Sequence, residues 1–166
     1  MTDRATTEHI RPDAIDRAAG LEPDMPAFDV RDRRAEFLDG AEACRKCVLE
    51  PDDDLGLAPD IRMAIGRRVA RTSDNERIVA AYPLPASPAL AAFAKGDEPS
   101  DPYLAAIAAH TDMIASDPGR SSAADLQRLL DAGLTVPQVI ALSELLAFVC
   151  FQIRVVHGLA LLRDSE

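Results

Sequence analysis

The sequence feature that most constrains the fold is a long apolar stretch between Gly133 and Leu162, close to the end of the chain. It begins with the signals of a helix N-terminus, because Thr135 can cap the first turn and Gln138 completes a capping box. Pro137 fits the first turn, where its missing N–H would have no partner in any helix. The stretch therefore predicts one helix of about 28 residues, which is longer than an average helix.

The side chains of this stretch indicate a helix packed inside protein. Its apolar residues point in every direction, whereas a surface helix keeps them on one side. Polar residues interrupt the stretch, so no uncharged segment approaches the roughly 20 residues that a bilayer requires. These residues are Glu144, Gln152, Arg154 and His157. We therefore expect a core helix and not a membrane span.

The composition indicates a single helical domain. The chain has 166 residues, 48% of them hydrophobic, which is enough to bury a core. Aromatic residues make up 4% and tryptophan is absent, which favours packing between helices over a β-sandwich. We predict an all-α fold, with six to eight helices arranged around the long C-terminal helix.

The net charge and the cysteine count indicate which binding partners and which cellular compartment to expect. A formal charge of −10 opposes nucleic acid or an anionic membrane as the main partner, and its plainer explanation is solubility. A small-molecule substrate and further copies of the chain are the partners that we consider. Three cysteines form no even disulfide framework, and the first residues are polar and do not lead into an apolar signal segment. We therefore expect a cytoplasmic protein.

Prolines and capping residues divide the chain into segments. Residues 1–29 contain three prolines and are predicted to form a loosely structured N-terminal arm, with one short helix around Asp13 to Ala19. Residues 30–166 are predicted to form the helical domain, and its first helix runs from about Val30 to Leu49. Further helices are predicted at about 58–71, 74–82, 87–95, 101–116 and 122–133.

Two runs of residues resemble a known family. Gly133-Leu-Thr-Val-Pro-Gln-Val-Ile, followed by Ala147-Phe-Val-Cys-Phe-Gln-Ile-Arg, is similar to the long helix of the AhpD-like, or carboxymuconolactone decarboxylase, superfamily. Pro59-Asp-Ile-Arg-Met-Ala-Ile-Gly-Arg-Arg-Val-Ala is similar to an upstream helix of that family. The likeness covers about residues 30 to 163. It implies an AhpD-like helical bundle that usually assembles into trimers or hexamers. We expect a homo-oligomer, as a dimer, trimer or hexamer, and no cofactor.

The peroxidase-related branch of this family carries a Cys-x-x-Cys-x-x-x-His motif at the start of the helix after the arginine-rich one. Residues 72–82 occupy that place here and read Thr-Ser-Asp-Asn-Glu-Arg-Ile-Val-Ala-Ala-Tyr, without cysteine or histidine. Met63 follows Arg62 where the family often has glutamate. The resemblance implies a thiol-dependent, hydroperoxide-reducing oxidoreductase that lacks the usual motif at its expected place.

A Cys-x-x-Cys sequence lies further upstream, at Cys44 and Cys47. Residues three apart share one face of a helix, and the neighbouring Arg45 and Lys46 can stabilise a thiolate, which makes this pair a candidate catalytic dithiol. The alternative is that both are small buried residues, because the C-terminal end of a helix disfavours a thiolate. Zinc binding requires two further ligands, so we expect no metal site.

A second candidate site involves His110, Arg154 and His157. In this hypothesis His110, His157 or Arg154 handles a carboxylate substrate in a cleft between subunits, in a cysteine-independent reaction of the decarboxylase type. The structural alternatives are a core or interface role for His110 and an ion pair between Arg154 and an acidic residue of another helix. Cys150 is expected to pack in the core. A third hypothesis is a helical assembly protein without catalytic activity.

Overall fold

The computed structural model describes residues 12–165 of the chain. Across these residues the chain forms nine α-helices and no strand, which confirms the all-α prediction. The helices are α1 (Ala14–Ala19), α2 (Pro26–Asp32), α3 (Ala35–Leu49), α4 (Pro59–Ala70), α5 (Glu76–Ala80), α6 (Pro88–Ala94), α7 (Pro102–Ser116), α8 (Ala123–Asp131) and α9 (Val136–Asp164).

The long C-terminal helix begins as the sequence predicts. The Thr135 hydroxyl accepts a hydrogen bond from the backbone N–H of Gln138 at 3.4 Å. The Gln138 side-chain oxygen in turn accepts one from the backbone N–H of Thr135 at 2.8 Å. This capping box and Pro137 in the first turn confirm the predicted start of α9.

The helix α9 lies at the centre of the fold, in contact with α1, α2, α3, α4, α7 and α8. Leu142, Leu145 and Val149 on its inner side are fully buried. Within the single chain, the neighbouring helices cover only part of the circumference of α9, so the expectation that protein surrounds it on every side is not met by this chain alone. The exposed apolar residues of α9 are Val136, Ile140, Phe151, Leu161 and Leu162. The homo-oligomer stays a prediction.

The length and composition of α9 would also suit a membrane-spanning helix. An 18-residue window within it has a mean hydropathy of 2.0, and 44% of that window is buried inside the protein. One such helix is weak evidence, because a buried core helix has the same length and composition. The absence of a membrane partner therefore stays a prediction.

The N-terminal segment differs from the loosely structured arm that the sequence predicts for residues 1–29. The predicted short helix is present as α1, capped by Asp13, and α2 follows it. Ile15, Leu21 and Phe28 are buried in the same core as α9. Arg31 then joins the two helices through ion pairs with carboxylates at the start of α1. The part of the predicted arm before residue 12 lies outside the described residues.

The predicted helix from Val30 to Leu49 is divided in the structure. The helix α2 ends at Asp32, and α3 begins two residues after Arg33, at Ala35. The break lets α2 turn Phe28 into the core while α3 runs along α9. It also brings the number of α-helices within residues 12–165 to nine, against the predicted six to eight.

Gly158 offers a direct test of the helix α9. A Cβ atom added there would meet no other heavy atom within 4 Å. Because alanine loses less backbone entropy than glycine in a helix, Gly158→Ala should raise the free energy of unfolding by about 0.5–1 kcal/mol. Urea denaturation measures the change.

Gly66 in α4 provides the opposite control. A Cβ atom at Gly66 would lie 2.5 Å from Cδ1 of the buried Tyr82 ring. Gly66→Ala should therefore lower the free energy of unfolding, because the core has no room for the extra methyl group. Equal effects of the two substitutions would contradict this description of the packing.

Candidate functional site

A groove with a volume of about 660 Å³ lies between α3 and α9. Its walls are mainly apolar and include Phe37 from α3 with Phe148 and Phe151 from α9. The two phenyl rings of α9 stand with their centroids 6.3 Å apart. Cys44 and Cys47 line the same groove. The structure thus places the predicted dithiol beside a cavity large enough for a small organic molecule.

Both cysteines are exposed free thiols. They are three residues apart in the last turns of α3, so their side chains lie on one face of the helix. The alternative that they are small buried core residues is therefore wrong. Their exposure allows a peroxide or a reductant to reach the sulfur atoms from solvent.

Arg45 and Lys46, the basic residues between the two cysteines, have different surroundings. Arg45 extends towards α5, where its Nη2 donates to the carbonyl oxygen of Ala81 at 3.2 Å. Its Nε atom is buried and has no hydrogen-bond partner within residues 12–165. Lys46 is exposed. Arg45 therefore joins two helices and does not serve the thiolate role that the sequence suggested.

Arg62 holds the end of α3 in place. This residue of α4 is only 3% exposed, and its guanidinium donates to three backbone carbonyl oxygens. The acceptors are Leu57 at 2.6 Å, Val48 at 3.0 Å and Asp54 at 2.9 Å. Burial lowers the pKa of Arg62, although Asp54 and Glu144 act in the opposite direction. The carbonyl of Val48 follows Cys47 directly, so Arg62 fixes the backbone beside the groove.

No structural role for Arg62 was predicted from the sequence. Its spacing from Ile65 and Val69 does place it on the buried face of the helix. An arginine within an apolar stripe can satisfy its charge with backbone carbonyls. The spacing was therefore a usable signal.

The residues of the second candidate site do not come together as one group. His110 from α7 and Arg154 from α9 line one cavity of about 310 Å³, together with Cys150. His157 lines a different cavity of about 650 Å³, beside Arg77 and Arg163. The structure thus joins two of the three residues and separates the third.

Within the described part of the chain, Arg154 does not form the structural ion pair that was expected for it. It is exposed, and no carboxylate within residues 12–165 forms an ion pair with it. Cys150 beside it is half-buried, and burial raises the pKa of its thiol, although Arg154 has the opposite effect. Cys150 is therefore expected to stay protonated near neutral pH.

His110 is buried, with 6% of its surface exposed, which agrees with the expected core position, but its Nδ1 has no hydrogen-bond partner within residues 12–165, so it is not the satisfied histidine of that alternative. Burial lowers the pKa of His110, Asp125 raises it, and Arg128 lowers it again. The imidazole is therefore mainly neutral at pH 7. A neutral imidazole has one nitrogen that donates and one that accepts a hydrogen bond.

Within residues 12–165, no three His, Cys, Asp or Glu side chains converge where a metal ion could bind.

Comparisons with known proteins identify no relative on which a function could be based. The chain matches no protein-family model, no curated protein and no solved structure.

Proposed function

We propose that this protein is an AhpD-like, thiol-dependent oxidoreductase that reduces organic hydroperoxides with Cys44 and Cys47. The observation that carries the proposal is the position of two exposed thiols, on one helix face, in the wall of an apolar groove. Cys-x-x-Cys pairs perform two-electron redox chemistry when one thiol attacks and the other resolves the product. The groove supplies the place where the organic part of a hydroperoxide is bound.

The reaction consumes both thiols and one hydroperoxide. The thiolate of one cysteine attacks the terminal oxygen of the hydroperoxide, the O–O bond breaks, and the alkoxide takes a proton from water and leaves as an alcohol. The attacking cysteine becomes a sulfenic acid. The second thiol attacks that sulfur, expels the hydroxyl group as water, and forms a disulfide. An external dithiol then reduces the disulfide through thiol exchange.

The proposed disulfide requires a change in the geometry at the end of α3. Side chains three apart on a helix have Cβ atoms about 5–6 Å apart, whereas a disulfide needs about 3.8 Å. Cys47 lies in the last turn of α3, which ends at Leu49. The disulfide therefore requires the last turn of α3 to tighten, next to the carbonyl of Val48 that Arg62 holds at 3.0 Å.

The walls of the groove favour an apolar substrate. A phenyl ring or alkyl chain gains free energy by leaving water for contact with Phe37, Phe148 and Phe151. Hydrogen peroxide has no such group. We therefore expect the native protein to consume cumene hydroperoxide with a lower KM than hydrogen peroxide, with dithiothreitol as reductant.

A variant of the groove wall distinguishes substrate binding in the groove from general thiol reactivity. The side chain of Phe37 is 61% exposed and lines the groove without belonging to the buried core. Phe37→Ala should raise the KM for cumene hydroperoxide about fivefold, since about 1 kcal/mol of apolar contact is lost. The rate with hydrogen peroxide should stay unchanged. No hydroperoxide consumption by the native protein would refute the proposal.

A further inference from the structure

His110 carries a buried polar atom that its own fold leaves without a partner. Its side chain belongs to α7, and Nδ1 has no hydrogen-bond partner within residues 12–165. Buried polar atoms are nearly always hydrogen-bonded, because an unpaired one loses its contact with water without compensation. A bound group or an ordered water beside His110 would complete its hydrogen bonding, and the imidazole also lines a second cavity, next to Asp125 and Arg128.

The cavity beside His110 has an apolar side and a cationic side. Ile114 of α7 and Leu146 of α9 form an apolar part, and Arg154 supplies a guanidinium. Ser143 also lines the cavity, but its hydroxyl already donates to the carbonyl oxygen of Val139 at 2.8 Å. The cavity volume of about 310 Å³ lies at the lower end of the range for small-molecule sites.

The charge of this cavity is opposite to that of the whole chain. The protein has a formal charge of −10, yet no acidic residue is among those that line the cavity. Arg154 is its cationic residue and forms no ion pair with a carboxylate of the described chain. An anion is therefore attracted to this position while most of the surface repels it.

We propose that the cavity between α7 and α9 is a binding site for a small monocarboxylate with a short apolar chain. The guanidinium of Arg154 donates to the carboxylate, and the Nδ1–H of His110 donates a further hydrogen bond to it. The apolar chain lies against Ile114 and Leu146. This cavity adjoins the proposed dithiol groove at Ala147, which lines both, but neither cysteine of that dithiol lines it, and neither proposal depends on the other.

Isothermal titration calorimetry with hexanoate tests the proposal, with hexanamide and inorganic phosphate as the comparison ligands. Hexanamide has a similar chain without the charge, and phosphate has the charge without the chain. Hexanoate should bind at least about tenfold more tightly than either ligand, because each of them lacks one of the two interactions. Equal affinity for hexanamide or for phosphate would overturn the proposal.

Variants of the two polar residues locate the site. Arg154→Gln should weaken hexanoate binding at least about tenfold, because a charge-assisted pair is lost. Arg33→Gln is the matched control, since Arg33 is exposed and does not line this cavity. Phe37→Ala should leave the affinity unchanged, which excludes binding in the groove between α3 and α9. Unchanged affinity in Arg154→Gln would refute the assignment.

His110→Phe and His110→Asn are a second pair of variants, which tests the role of His110 in hexanoate binding. Phenylalanine keeps a ring without nitrogen, whereas the asparagine amide places a donor close to the position of Nδ1. Hexanoate binding should weaken in His110→Phe and be largely retained in His110→Asn. If His110→Phe does not fold, Arg154→Gln alone decides. Equal affinity of the native protein and a folded His110→Phe variant would overturn the role of His110.

Discussion

Cys44→Ser and Cys47→Ser should each abolish the dithiol-dependent consumption of cumene hydroperoxide. Serine has nearly the same size as cysteine, but its hydroxyl is neither a comparable nucleophile nor able to form a disulfide. Both cysteines are exposed, so neither substitution creates a cavity in the core. The loss of turnover, measured by the disappearance of hydroperoxide, should occur without a change in the free energy of unfolding.

The two variants should differ in the intermediate that accumulates. The variant that keeps the attacking thiol should form a sulfenic acid that dimedone traps, whereas the variant that keeps only the resolving thiol should not. This difference assigns the two roles.

Cys150→Ser is the matched control for these variants. Cys150 lies in the separate cavity beside Arg154, and burial raises the pKa of its thiol. Cys150→Ser should therefore keep full activity. Loss of activity in Cys150→Ser, with turnover retained in the other two variants, would contradict the assignment of the dithiol.

Arg62→Met should lower the free energy of unfolding by roughly 3 kcal/mol. The methionine side chain fills a similar space, but it leaves the buried carbonyl acceptors of Arg62 without a donor. Hydrogen bonds to charged groups stabilise proteins by about 1.5–3 kcal/mol each, and partial access of water to the loop reduces the sum. Urea denaturation monitored by circular dichroism measures the change.

Arg71→Met is the control for this substitution. Arg71 follows the last residue of the same helix and is exposed. Replacing it should change the free energy of unfolding by less than about 0.5 kcal/mol, as is usual at the surface. A loss in Arg62→Met no larger than in Arg71→Met would show that the carbonyl contacts do not stabilise the end of α3.

Local signals in the sequence predicted much of the fold. The capping boxes at Ser122 and Thr135 and the first-turn prolines of α4, α6 and α7 lie where the structure has helix starts. These signals work because the residues that end or begin a helix satisfy its free backbone groups within a few positions of the chain. Helix boundaries of this kind depend little on the rest of the fold.

Features that depend on distant residues were not predictable in the same way. No proline or glycine marks the break between α2 and α3, since Arg33 and Arg34 occupy it. The position of α2 follows instead from the pairing of Arg31 with the start of α1 and from the burial of Phe28. Local propensity contains no information about such contacts.

In the candidate sites, too, features set by local spacing were predictable, and features set by the packing of distant helices were not. The spacing of Cys44 and Cys47 predicted a shared helix face, but their exposure and the groove beside them depend on the packing of α3 against α9. His110 and Arg154 were singled out separately by residue type. Only the packing of α7 against α9 brings them to one cavity and leaves His157 in another.

The most direct test of the proposed chemistry is the state of the cysteines after one equivalent of cumene hydroperoxide, without added reductant. Intact-protein mass spectrometry followed by peptide mapping identifies the product. We predict the loss of two hydrogen atoms, a disulfide between Cys44 and Cys47, and one equivalent of the alcohol. Thiols that stay reduced, or oxidation confined to Cys150, would contradict the proposed function.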